Sequence, residues 1–96
     1  MSDPASPLPP TPGAIPVSFA QFVVSLGSSA LVHLGEIAEP GAAAPRRDLK
    51  LARHTIDVLA LLKDKTKGNL DEEETRLLDA LLFDLRQKFV QATQGS

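Results

Sequence analysis

Two histidine–carboxylate pairs are the sharpest chemical feature of the chain, His33 with Glu36 and His54 with Asp57. In each, the imidazole and the carboxylate stand three residues apart, the spacing that sets two side chains on one face of a helix. Metal centres of four-helix bundles need such pairs projecting inward, with further carboxylates of the kind Asp79 or Asp84 would supply. Three features argue against that chemistry. The bundle motif places Glu before His, the reverse of the order here. Gly35 ends its helix before Glu36 is reached, and His54 and Asp57 fall on the polar arc of theirs. They read as hydrogen-bonding or capping groups, so no metal and no cofactor is expected.

Other chemistries are weaker still. The chain has no cysteine, which removes thiolate metal sites, disulfides and a thiol nucleophile. Ser25, Ser28 and Ser29 lie inside a helical stretch without the strand–turn context of a nucleophile elbow. The run Lys63-Asp64-Lys65-Thr66-Lys67-Gly68 lacks the glycine-rich first half of a phosphate loop and no strand precedes it. Its lysines suit the negative end of a helix. No catalytic residue is assigned, and the chain is not expected to be an enzyme.

A nucleic-acid reading would rest on Arg46, Arg47, Lys50 and Arg53 with Lys63, Lys65 and Lys67. Residues 46–67 hold seven basic and three acidic side chains, whereas 69–96 hold three basic and six acidic. The interleaved Asp48, Asp57 and Asp64 and the acidic third helix dilute any patch. With neither Trp nor Tyr, the usual stacking platform is missing as well. A nucleic-acid partner is therefore disfavoured, and a net charge of −2 exerts no global pull toward DNA or anionic lipid.

The elements that would position these groups are helical. Residues 1–17 contain six of the eight prolines (4, 7, 9, 10, 12 and 16). Proline lacks the backbone donor and fixes φ, so the segment is read as a disordered tail with polyproline II character, a tether or a bait for another protein. A helical domain over 18–94 follows. Its first helix, near 19–34, starts at the N-cap Ser18 and stops at Gly35. Phe19, Phe22, Val23, Leu26, Ala30 and Leu34 share one face, and Val24 and Leu31 form a thinner second stripe. The small residues Gly27, Ser28, Ser29 and Ala30 permit a close helix crossing.

Residues 36–47 read as a loop turning at Pro40-Gly41. Asp48 caps a second helix, near 48–66, closed by Gly68. Leu49, Leu51, Ala52, Ile56, Val58, Leu59, Ala60 and Leu62 span roughly 200° of its circumference, about twice what an ordinary surface helix needs. Asp71 and Glu74 form a capping box for a third helix, near 72–92. The short link at 67–70 makes the second and third helices an antiparallel hairpin. Leu77, Leu78, Leu81, Leu82, Leu85, Phe89 and Ala92 form the core face of the third, while Phe83 and Val90 lie on nearly the opposite side. For ion pairs across the hairpin, Arg86 with Asp57 and Asp84 with Arg53 are the options considered.

The segments FAQFVVSLGSSALVHLGEI (19–37), LKLARHTIDVLALLKDKTKGNL (49–70) and ETRLLDALLFDLRQKFV (74–90) carry a resemblance to a known family. With their HLGE, HTID, KTKGNL and DLR stretches, they make the chain resemble the short bacterial proteins of domain of unknown function 1844. The resemblance implies a helical bacterial protein. It implies no activity, and no functional residue is carried over.

The expected fold is all-α: three helices completed by homo-oligomerisation, because secondary apolar stripes on all three exceed what so small a domain hides. Val24, Leu31, Leu51, Val58, Leu62, Phe83 and Val90 are the candidate self-association residues. The corresponding function is a self-associating scaffold or protein-interaction module. Its rivals are a metal- or small-molecule-binding bundle and a weak nucleic-acid binder. The most apolar stretch, Phe19–Leu34, is too short and too polar to span a bilayer. MSDPASPLPP has no basic start and no unbroken apolar run, so the expected location is cytoplasmic.

Overall fold

The structure, a computed structural model, describes residues 17–94. The proline-rich segment 1–16 lies outside the described residues, and Val17, the last residue of the expected tail, is fully solvent-exposed. Three helices follow in order: α1 (Phe19–His33), α2 (Leu49–Lys65) and α3 (Glu72–Gln94). Among the described residues there is no β-strand.

Each boundary has a local cause. Ser18, in extended conformation, accepts the Gln21 amide on its Oγ at 3.0 Å and so satisfies one orphan donor of α1. At the other end Gly35 takes φ +81°, its amide bonds to Val32 O at 3.0 Å and the Glu36 amide to Leu31 O at 2.9 Å. Those two bonds, from the first and second residues past the cap, are a Schellman closure, which favours glycine because an L side chain is strained at that φ. Asp48 accepts the Leu51 amide at 3.1 Å to open α2. α3 begins with a reciprocal box: Glu74 N donates to Asp71 Oδ1 at 2.7 Å, and Asp71 N donates to Glu74 Oε1 at 2.9 Å. Glu72, Glu73 and Glu74 sit at its positive end. α3 continues two residues beyond the expected Ala92, to Gln94.

Every pair of helices is in contact. The core comprises Val23, Ala30 and Leu34 of the first helix and its cap, Ala52, Ile56 and Leu59 of α2, and Leu78, Leu82, Leu85 and Ala92 of α3. Each large aliphatic side chain taken from water into this core contributes about 1.5–3 kcal/mol. Gly27 is buried as well, and a Cβ built on it would stand 3.1 Å from Leu81 Cδ2. Thr55 is the buried polar residue; its hydroxyl donates to Leu51 O at 3.0 Å, which removes the cost of burying it.

The inward face of α1 differs from the expected one at one position. Phe22 is half exposed, because the buried row Val23, Gly27, Ala30, Leu34 centres the face away from it. The loop between α1 and α2 is pinned at both ends. Leu34 and Arg47 form an isolated antiparallel bridge, and Asp48 N donates to His33 O at 2.7 Å. Arg47 then reaches across to the last turn of α3, its Nη1 donating to Ala92 O at 3.4 Å. A cation there suits the negative end of that helix.

Candidate association surface

The four candidate metal ligands do not converge. His33 closes α1, Glu36 lies in the exposed turn after it, and His54 and Asp57 are exposed on α2. Asp57 instead meets Arg53 Nε at 3.7 Å along its own helix. Among the described residues, no group of three His, Cys, Asp or Glu side chains comes close enough to hold a metal ion.

The basic residues of α2 and of the loop before it are dispersed. Arg47 bonds to Ala92 O, Arg53 pairs with Asp57, and Lys63 Nζ meets Asp79 Oδ1 at 2.5 Å across to α3. Neither of the alternatives the sequence offers, Arg86 with Asp57 or Asp84 with Arg53, is formed among the described residues; the interhelical bridge is Lys63–Asp79. Asp84 pairs within α3, with Lys88 Nζ at 2.8 Å, and Arg53 and Asp57 hold one another. Lys63 and Asp79 are each about half exposed, so the bridge orients more than it stabilises.

The hydrogen bond to Asp84, then the charges of Asp84 and Glu36, hold the Lys88 pKa above its ordinary value of 10.5; partial desolvation opposes them. Because the folded value is raised, the stabilisation is complete below the ordinary lysine value and is lost as pH rises through the raised one.

What the surface does present is apolar. With the core closed, Phe22 and Val24 on α1, Leu51 and Leu61 on α2, and Phe83 and Val90 on α3 remain between 45% and 66% exposed. Four of the seven self-association candidates (Val24, Leu51, Phe83, Val90) are in this set. Leu31 and Leu62 pack as partly buried side chains against the chain's own core, and Val58 is half-buried. Phe22 and Leu61 were not singled out from the sequence. Phe22 falls on the apolar face that the spacing assigns to the core, and Leu61 falls on the arc of α2 shared by Lys50, Arg53, His54, Asp57 and Asp64; neither position carries a periodic signal of exposure.

Two open grooves flank the Lys63–Asp79 bridge. One, of about 600 Å³, is lined by Leu82, Phe83, Arg86 and Val90; the other, of about 620 Å³, by Ala60, Leu70 and Thr75. The second groove also carries the charged side chains Lys63, Asp64, Lys67, Asp79 and Arg86 on its wall. Among the described residues, no helix is long and apolar enough to cross a membrane.

A three-helix domain with apolar side chains left outside its core is the class that this geometry defines. The chain belongs to the family described as Domain of unknown function (DUF1844), whose sequence model matches residues 16–91. No curated protein and no solved structure matches the chain significantly.

Proposed function

We propose that this chain is a small self-associating helical scaffold, a protein-interaction module of the cytoplasm without catalytic activity. One observation carries the reading: six large apolar side chains, distributed over three helices, stay half exposed after the chain has packed its own core. Scattered single apolar residues on a surface are ordinary. Here they recur outside the buried row of every helix, in a domain too small to cover them itself. The antiparallel α2–α3 hairpin is part of this reading. The six residues 66–71 between the helices and the Lys63–Asp79 bridge support it. So is a second copy that covers part of this apolar surface.

The test is the dependence of stability on protein concentration. A species that associates only when folded is stabilised by mass action, so the urea midpoint rises over a roughly hundredfold increase in protomer concentration. A midpoint that stays fixed over that range contradicts the proposal.

A further inference from the structure

The outward side of α3 carries a row that a packed monomer does not need. Arg76, Ala80, Phe83, Gln87, Val90 and Gln94 follow one another at intervals of four and three, and all six are exposed. This is the spacing that keeps side chains in line for a partner helix. The row lies opposite the buried row Leu78, Leu82, Leu85, Ala92, and its Phe83, 66% exposed, is the most exposed large apolar side chain on any of the three helices.

We infer that this row is the contact between two copies of the chain, with their α3 helices antiparallel about a two-fold axis near Ala80–Phe83. The inference rests on the self-association reading and adds its site and geometry. Charge selects the occupant. Asp79 and Arg86 flank the row on one side, one heptad apart, so two antiparallel copies set each Asp79, whose Oδ1 is held by Lys63 of its own chain, against the partner's Arg86. In that register Phe83 meets the partner's Ala80, a large side chain against a small one, and Arg76 meets the partner's Gln87. Parallel copies would instead set each Asp79 against the partner's Asp84, like charge against like. An antiparallel register centred on Asp84–Arg86 would bring each of those charges against its own copy. The row is thus complementary to itself in one arrangement, which is what a second copy of this chain requires. Val90 falls at the end of the overlap, beside the partner's Glu73, and contributes less than Phe83.

The absence of cysteine makes the geometry directly readable. In full-length protein, Ala80→Cys is expected to form a disulfide-linked dimer on mild oxidation, because the two copies lie within about one helical turn of each other. Gln94→Cys is expected not to, since its copies lie at opposite ends. Phe83→Asp, at an exposed site that leaves helicity by circular dichroism unchanged, is expected to raise the dimer dissociation constant about 100-fold, and Val90→Asp about tenfold. In a Lys63→Met background, which removes the bridge within the chain, Arg86→Asp weakens the dimer and Asp79→Arg added to it restores association. The outcomes separate the two readings. A wild type that is monomeric at every concentration removes self-association altogether. A wild type that dimerises, is untouched by Phe83→Asp and is dissociated by Phe22→Asp keeps self-association and overturns the α3 seam. Ready cross-linking of Gln94→Cys overturns the antiparallel arrangement.

Discussion

Gly27 offers a quantitative check on how α1 meets α3. It is buried in mid-helix, where glycine costs about 1 kcal/mol relative to alanine, so Gly27→Ala starts with that gain. Against it stands Leu81: the new Cβ would lie 3.1 Å from Cδ2 and 3.4 Å from Cδ1, so the leucine must give way by a few tenths of an ångström. Leu81 is partly buried, and the atoms in the way are the far end of its flexible side chain. Pushing it off its rotamer costs roughly 0.5–1.5 kcal/mol, which leaves Gly27→Ala within about 0.5 kcal/mol of wild type. Gly27→Val adds two methyl groups to the same contact. Overpacking of this kind costs about 1–3 kcal/mol and exceeds the propensity gain, so a net loss of about 1–2 kcal/mol is expected. For a domain of this size, each kcal/mol lowers Tm by about 4–8 °C. Thermal and urea unfolding followed by circular dichroism, at one fixed protomer concentration, would measure it. In a Leu81→Ala background the valine should cost less than about 0.5 kcal/mol, since the obstructing side chain is gone. A valine as harmless as alanine in the wild-type background, or as costly with Leu81 removed, would refute the close crossing.

Leu59→Ala, at a fully buried position, is expected to cost about 2–5 kcal/mol in urea unfolding. Asp71→Ala removes half of the reciprocal box at the start of α3 and is expected to cost about 1 kcal/mol, readable in the same titration. Gly35→Ala should cost about 1–2 kcal/mol, because the residue holds φ +81°, and Gly35→Asn should cost less. Stability measured from neutral to strongly alkaline pH should fall as Lys88 loses its proton above pH 10.5, and Lys88→Met should lack that part of the fall.

The helices were legible in the sequence because their ends are marked by local chemistry. Ser18, Asp48 and the Asp71/Glu74 box each act within three residues of themselves, and Gly35 serves the turn it closes. The core face of α3 was legible for a similar reason, since seven apolar side chains repeat at helical spacing. What the sequence could not show is which of two adjacent apolar residues turns inward. Val23 is buried and Phe22 half exposed, and the difference depends on where α2 and α3 lie against α1. Thr55 was missed because its hydroxyl is satisfied by its own helix, which lets a polar residue pass as core. The interhelical ion pair was missed because partner choice depends on the stagger of α2 against α3. That stagger brings Lys63 to Asp79 and leaves Arg53 and Asp84 to neighbours four residues away. Arg47, which ties the loop to the end of α3, carried no periodic signal at all.

The mass of the native particle bears most directly on self-association. Sedimentation equilibrium of the full chain, over a wide concentration range at physiological salt, is expected to give a particle of twice the 10.2 kDa chain mass or a larger whole multiple, falling toward the chain mass only on dilution. A single species of 10.2 kDa at every concentration would contradict the account, because the half-exposed side chains of all three helices would then be a stable solvent surface.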